Sequence, residues 1–174
     1  LKVGDLEEAK VWFTLVKEVS TKHQADAVYN LGYIDYVEGH YDAALKAFTS
    51  LQRDDEYAAL VPYYIGEIHL LRGEYKQADE VATDYLRHFA GHKDEAEMMR
   101  VQGEARYGLK DYMGAVSSLE GYVNVVASPQ RKAMYELGMS YYHTGAYLKA
   151  TEMLGRTTMV QDALAQNANL HMGL

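Results

Sequence analysis

The stretch that decides the fold, residues 31–48, reads LGYIDYVEGHYDAALKAF. It contains the pattern Gly39-x-Tyr41-x-x-Ala44, and Phe48 follows four residues after the alanine. The pattern returns in varied form along the chain, with alanines at 9, 44, 78, 115 and 150, which are 35, 34, 37 and 35 residues apart. A further glycine precedes four of the copies by seven residues, at 32, 66, 103 and 138. A period of this length indicates tandem structural repeats.

Each part of the pattern has a physical reason to favour a pair of helices. Tyr41, Ala44 and Phe48 fall on one face of a helix, because residues three and four apart are neighbours there. Gly39 suits the left-handed position that ends the preceding helix. Gly32 costs about 1 kcal/mol of helix propensity, which is tolerated where two helices must touch. We expect the same contact role for Gly173, which lies 35 residues after Gly138.

The sequence therefore predicts an all-α fold of about ten helices. Only 2 of the 174 residues are proline, which fits a chain that is nearly all helix. Ser128-Pro129 predicts an N-cap followed by proline in the first turn of a helix. The one repeat with a spacing of 37 places its extra residues in a loop at 88–94. The predicted helices are 5–18, 24–38, 41–52, 57–72, 75–89, 94–109, 112–126, 129–144, 147–158 and 162–173.

The repeat resembles the tetratricopeptide repeat, whose pattern is W-x2-L-G-x2-Y followed by A-x3-F. Leu31-Gly32 and Leu137-Gly138-x-x-Tyr141 match the first part, and Ala44 with Phe48 matches the second. The resemblance implies an α-α superhelix, or solenoid, of helix-turn-helix repeats. It implies one domain over 1–174 with four complete hairpins and a half repeat at each end, as a fragment of a longer array. The apolar residues near both ends then predict end-to-end self-association.

Composition and motifs argue against several functional classes. A net charge of −8 disfavours a nucleic-acid partner, and no apolar run is long enough to insert in a membrane. The chain has no cysteine, which is compatible with the cytoplasm and with a bacterial periplasm. Zinc-binding and phosphate-cradling motifs are absent from the sequence, so we expect no enzyme activity, no cofactor and no metal site. His88 and His92 are interpreted as a solvated pair in a loop.

The resemblance also implies where a partner protein would bind. In tetratricopeptide arrays the first helix of each hairpin lines a concave groove, and its side chains contact a peptide or helix of the partner. The matching positions here are Tyr29, Tyr33, Tyr36, Tyr63, Glu67, Arg100, Glu104, Tyr107, Tyr135, Met139 and Tyr142. Tyrosine offers a large contact area and a hydroxyl, although the same rings can instead pack between adjacent first helices.

The charges of these positions indicate the chemistry of the ligand. Chaperone-binding members of the family hold a C-terminal carboxylate with Lys and Asn, and neither register of this chain supplies that clamp. Glu67, Glu97, Glu104 and Arg100 instead favour a ligand with apolar and basic character. The sequence predicts a non-enzymatic protein-binding scaffold, similar to many bacterial tetratricopeptide proteins. Two alternatives are an architectural spacer in a larger protein and a regulatory domain fused to an enzyme outside this segment.

Overall fold

The computed structural model describes residues 3–19 and 23–173, and these residues form ten helices and no strand. The all-α prediction is therefore confirmed over the described residues. The loop at 89–94, between the fifth and sixth helices, is where the longer repeat spacing predicted it. The helices are α1 Val3–Val19, α2 Gln24–Val37, α3 Tyr41–Ser50, α4 Val61–Leu71, α5 Tyr75–His88, α6 Glu95–Gly108, α7 Tyr112–Val125, α8 Arg131–His143, α9 Tyr147–Gly155 and α10 Ala163–Met172.

The described residues divide into two compact units, with the boundary after Ile68, within α4. In the first unit α1 packs on α2, and α2 packs on α3. In the second unit every helix from α5 to α10 packs on the next, while α6 also contacts α8 and α8 contacts α10. The second unit is therefore built of helix pairs whose alternate members meet. The organisation of 1–174 as a single domain within a longer array stays a prediction.

The repeating glycines of the first helices lie where the paired helix comes closest. A Cβ atom on Gly32 would stand 2.9 Å from the Ala47 Cβ, and one on Gly138 would stand 2.8 Å from the Leu154 Cγ. At Gly103 a Cβ would stand only 2.4 Å from the Leu119 Cγ. The alanines of the motif are equally constrained, because Ala44, Ala78 and Ala115 are fully buried. Small residues at a fixed period thus set the spacing between the paired helices.

The glycines that end the first helices adopt the predicted left-handed conformation. Gly39, Gly73 and Gly145 have φ values of 80°, 70° and 81°. The fourth copy has Lys110 at this position, and its φ is 62°. The backbone N–H groups of Lys110 and the following Asp111 donate to carbonyls in the last turn of α6 at 2.9 Å, as the glycine turns do. Lys110 therefore adopts a left-handed conformation that is unfavourable for any residue with a side chain. It does so because the hydrogen bonds of the turn hold the backbone in place.

The fourth helix begins later than predicted, at Val61 rather than residue 57. Proline has no N–H, so Pro62 cannot donate to the carbonyl of residue 58, and its ring disfavours a helical turn in front of it. Residues 55–60 instead form turns that Asp54 stabilises, since its Oδ1 atom accepts from the Glu56 N–H at 3.0 Å. Tyr57 lies in these turns with only 8% of its surface exposed.

Two further details of the sequence prediction were wrong. Helix α8 begins at Arg131 with Gln130 as its N-cap residue, so Ser128-Pro129 precedes the helix instead of opening it. The Gln130 N–H donates to the Tyr122 hydroxyl at 3.1 Å, which holds this residue outside the helix. Gly173 is not a helix contact glycine, because it ends α10 with a left-handed φ of 80°.

The ninth helix ends at Gly155 rather than residue 158. The Arg131 guanidinium reaches the turn that follows, where it donates to the Thr157 carbonyl at 2.7 Å and to both carboxylate oxygens of Asp162. Asp162 in turn caps α10 by accepting from the Ala165 N–H at 3.0 Å. The hydrogen bonds from Arg131 and from this backbone hold the pKa of Asp162 well below its usual value.

Candidate functional site

The tyrosines of the first unit form one aromatic cluster around Tyr64. The Tyr64 ring lies 4.9 Å from the buried Phe48 ring and stacks on it. Four candidate tyrosines present their rings to Tyr64 at 5.3 to 6.1 Å with steep interplanar angles of 69° to 77°. These are edge-to-face geometries, which are favourable between aromatic rings. The four are Tyr29, Tyr33, Tyr36 and Tyr63.

The tyrosines differ in how much of each ring is accessible. Tyr33 on α2 is the most open, with 36% of its surface exposed. Tyr29 is half-buried, stacks on Tyr57 at 4.8 Å and donates its hydroxyl to the Tyr64 hydroxyl at 3.3 Å. Burial raises the pKa of the Tyr64 hydroxyl far above its ordinary value, and the hydrogen bond from Tyr29 adds to the effect. The Tyr64 hydroxyl therefore stays protonated at neutral pH, and Tyr33 is the most exposed residue of the cluster.

A hydrogen bond from Tyr57 to α2 also helps to hold this cluster in place. The Tyr57 hydroxyl donates to Asp26 Oδ1 on α2 at 2.8 Å. This hydrogen bond, with a smaller contribution from His23, lowers the pKa of Asp26. Because Tyr57 also stacks on Tyr29, the aspartate orients two tyrosines through one hydrogen bond.

In the second unit the candidate tyrosines lie on α6 and α8. Tyr107 and Tyr135 are half-buried and pack against the buried trio of Met139, Leu154 and Ala168. Burial raises the pKa of Tyr107 to about 12, so its hydroxyl stays protonated at neutral pH. Tyr142 is 37% exposed and meets the His171 ring edge-on at 5.2 Å. Each unit thus presents an open tyrosine whose ring meets a neighbouring aromatic ring edge-on.

Three of the predicted positions are buried in the structure. Met139 is 5% exposed, Arg100 is 2% exposed and Glu104 is 4% exposed. Arg100 donates to Glu97 at 2.7 Å and to Glu104 at 2.9 Å. Glu104 also accepts from the Lys132 ammonium on α8 at 2.6 Å. These charged side chains therefore pair with one another within the chain. Of them only Lys132 is exposed, at the edge of the cluster. Glu67, the remaining candidate, is half-exposed on α4.

One group of carboxylates and a histidine in the described residues is close enough to suggest a cation site. Asp35, Glu38 and His40 have potential ligand atoms within 4.8 Å of one another. The Lys10 ammonium lies 3.1 Å from the Asp35 carboxylate and 2.6 Å from the Glu38 carboxylate. These hydrogen bonds, the one to Glu38 first, raise the pKa of Lys10. The positive charge at this point is thus supplied by the chain itself, and the group ties α1 to α2.

The tyrosine surfaces of the two units are defined from these contacts. The first comprises Tyr29, Tyr33, Tyr36, Tyr63 and Tyr64. The second comprises Tyr107, Tyr135 and Tyr142. Two residues of this site were not predicted from the sequence, namely the central Tyr64 and Glu136 of α8, which lies beside Lys132. None of the helices in the described part of the chain combines the length and apolar character needed to cross a bilayer.

Comparison with solved structures agrees with this architecture. A tetratricopeptide repeat protein from Parabacteroides merdae superposes with a TM-score of 0.77 at 18% identity, over 98% of this chain and 68% of that one. A double mutant of MamA gives a TM-score of 0.75 at 18% identity, over 96% of this chain and 89% of that one. A chain of the APC/C assembly Cut9–Hcn1 gives 0.72 at 18% identity, with 99% of this chain matching 35% of that one.

Neither a family model nor a curated protein sequence matches the chain. The structural likeness nevertheless extends over nearly the whole chain. The chain therefore has a tetratricopeptide-like fold of tandem helical hairpins.

Proposed function

We propose that this chain is a non-enzymatic scaffold that binds a peptide or helix of a partner protein through its tyrosine surfaces. The observation that carries the proposal is the support beneath the exposed ring of Tyr33 on α2. Tyr33 is open on one side while its ring meets Tyr64 edge-on at 5.8 Å, and Tyr64 itself stacks on buried Phe48. A ring held in this way loses little conformational freedom when a ligand covers it.

The fold supports a protein-binding role in general, since solved structures with the same architecture include a tetratricopeptide repeat protein and a chain of the Cut9–Hcn1 assembly. A fold alone does not define a function, so the proposal depends on the tyrosines. Their chemistry favours a ligand with apolar side chains and backbone groups that a phenol hydroxyl can bind. The carboxylates near α6 and α8 favour basic residues in the same ligand.

The test uses a peptide selected by phage display on the folded chain, followed by fluorescence polarisation with purified variants. Tyr33→Ala and Tyr142→Ala each remove one exposed ring. We expect each to lower the affinity for the peptide about tenfold or more, if that ring lies at the centre of the surface that the peptide contacts. Melting temperature is measured in parallel. Tyr75→Ala is the matched control, because Tyr75 is 37% exposed, as Tyr142 is, but lies on α5, outside the tyrosine surfaces.

The outcomes separate the proposed scaffold from an architectural spacer or a regulatory module that binds nothing here. Lost affinity with an unchanged melting temperature supports the scaffold. If Tyr33→Ala and Tyr142→Ala bind the peptide as tightly as Tyr75→Ala does, the tyrosine surfaces are not the binding site. If the two variants only lower the melting temperature, the rings serve packing and the spacer is favoured.

A further inference from the structure

The charged cluster between α6 and α8 has one carboxylate that its neighbours do not satisfy. Glu104 accepts from Arg100 and from Lys132, and both of its oxygens are hydrogen-bonded. Glu136, one turn after Lys132, has its Oε1 atom 3.6 Å from the Lys132 Nζ atom, which is beyond hydrogen-bonding distance. Its Oε2 atom is buried and has no hydrogen-bond partner among the described residues. Glu136 as a residue is 7% exposed.

An unsatisfied carboxylate in such a place is unfavourable and calls for a partner. Leaving a buried charged oxygen without a hydrogen bond costs more than the same loss at a neutral group. Lys132 cannot serve both glutamates equally, because its short contact is with Glu104 at 2.6 Å. Three carboxylates, Glu97, Glu104 and Glu136, thus share the two cations Arg100 and Lys132.

The surroundings of Glu136 favour its protonated form in the isolated chain. Burial raises the pKa of Glu136 to about 8, and the nearby Glu104 carboxylate adds to the rise, while Lys132 and Arg100 oppose it. The groups that face Glu136 are these three charges and the phenols of Tyr107 and Tyr135, whose pKa values the same carboxylate helps to raise. A cation that reached Glu136 would therefore displace this proton.

The surroundings indicate what kind of cation fits. Tyr107 and Tyr135 are partly exposed, pack on the apolar trio of Met139, Leu154 and Ala168, and lie near enough to Glu136 for its carboxylate to raise the pKa of both phenols. Rings beside a carboxylate suit a charged head on an aliphatic stem, as in lysine and arginine, because the stem covers the rings and the head pairs with the acid. The Lys132 side chain is 59% exposed, so it can move aside toward solvent.

We propose that Glu136 is the receptor for a lysine or arginine side chain of the bound partner, with Tyr107 and Tyr135 beside its aliphatic stem. This inference rests on the proposed scaffold function and names the ligand residue that the second unit selects. Binding exchanges a proton on Glu136 for the ligand cation. It therefore releases a proton below pH 8 and tightens as the pH rises toward that value.

The probe is butylguanidinium, which carries the head group of arginine on a short alkyl chain, with n-butanol as the neutral comparison. Carbon-detected NMR of the full chain labelled at the glutamate carboxyls follows Glu136, and tyrosine ring signals follow Tyr107 and Tyr135. We expect butylguanidinium, and not butanol, to shift these three residues. The affinity should be about 25-fold higher at pH 8.5 than at pH 6.5.

Glu136→Gln keeps the shape of the side chain and removes its charge, so the expected result is loss of the pH-dependent binding. Glu152→Gln is the matched control, because Glu152 lies exposed on α9. Equal shifts in Glu136→Gln and wild type would overturn the proposal, as would wild-type affinity that does not change with pH. The wild-type pH series does not require the variant to fold.

The small cation is studied without a partner peptide, which keeps this result separate from the scaffold test. If the selected peptide depends on Tyr33 and Tyr142 but butylguanidinium leaves Glu136 unchanged, the scaffold stands and the cation site is wrong. If butylguanidinium binds at Glu136 while no peptide depends on the tyrosines, the cation site stands and the proposed function fails.

Discussion

Gly103→Ala is the substitution that tests the helix contacts most severely. The added Cβ atom would lie 2.4 Å from the Leu119 Cγ, 2.7 Å from its Cδ2 and 3.2 Å from its backbone nitrogen. Ordinary contacts begin near 3.4 Å, so α6 and α7 must separate by about 1 Å or Leu119 must leave its position. Leu119 is fully buried, and its Cγ atom sits close to the backbone, so a side-chain rotation relieves little of the overlap.

The expected loss can be estimated from two opposing effects. Overpacking a well-filled core costs about 1–3 kcal/mol, and a displacement of this size belongs at the upper end of that range. The helix propensity of alanine is about 1 kcal/mol more favourable than that of glycine, which offsets part of this loss. We therefore expect Gly103→Ala to lower the free energy of unfolding by about 2 kcal/mol, measured by urea denaturation with circular dichroism at 25 °C.

Gly155→Ala is the matched control for this experiment. Gly155 is the last residue of α9, and a Cβ atom there would meet nothing within 4 Å. The control should be neutral or up to about 1 kcal/mol more stable, through helix propensity alone. If Gly103→Ala is as stable as Gly155→Ala, the recurring glycines do not determine the helix spacing and the reasoning is refuted.

Three further changes test other parts of the structure. Lys110→Gly should stabilise the chain by about 1 kcal/mol in urea denaturation, because the left-handed φ of 62° disfavours a side chain, and an unchanged midpoint would contradict this. Glu136→Gln should flatten the pH dependence of stability. The pKa of Glu136 is raised on folding, so the wild type loses unfolding free energy as pH rises from about 5 through 8, and a variant with the same slope would exclude Glu136 as the source. Trp12→Ser should reduce self-association in sedimentation velocity, since Trp12 on α1 is 66% exposed beside Val11 at 69%, and a wild type that stays monomeric at high concentration would contradict end-to-end association.

The helix pairs could be predicted because their determinants recur at a fixed period. Gly32, Gly103 and Gly138 mark the close contacts, and Gly39 marks a turn, so each copy strengthens the interpretation of the others. Lys110 shows that the period is more informative than residue identity, since it takes the glycine conformation without being glycine. The late start of α4 depends on Pro62, whose ring disfavours a helical turn in front of it, and the repeat period does not reveal this local effect.

The candidate site could be predicted less completely from the sequence. Repeat position indicates which face of a helix a residue occupies, but it does not reveal which partners fill the space in front of it. Arg100 and Glu104 are buried, and Glu104 pairs with the exposed Lys132, which lies 28 residues further along the chain. Tyr64 follows a predicted groove tyrosine directly, and its central role depends on Phe48 and on rings from α2. The Asp26–Tyr57 hydrogen bond also joins residues 31 positions apart, and no local pattern predicts it.

The most direct test of the central claim is to locate the selected peptide on the chain. A nitroxide label on the peptide broadens NMR signals of nearby residues, and the whole chain can be observed in one experiment. Binding through the tyrosine surfaces predicts broadening at Tyr33 and Tyr63, on α2 and α4, for a peptide on the first surface, or at Tyr107 and Tyr142, on α6 and α8, for a peptide on the second. Broadening confined to α3, α5, α7 and α9 would contradict the account, because the peptide would then lie on the other helix of each pair.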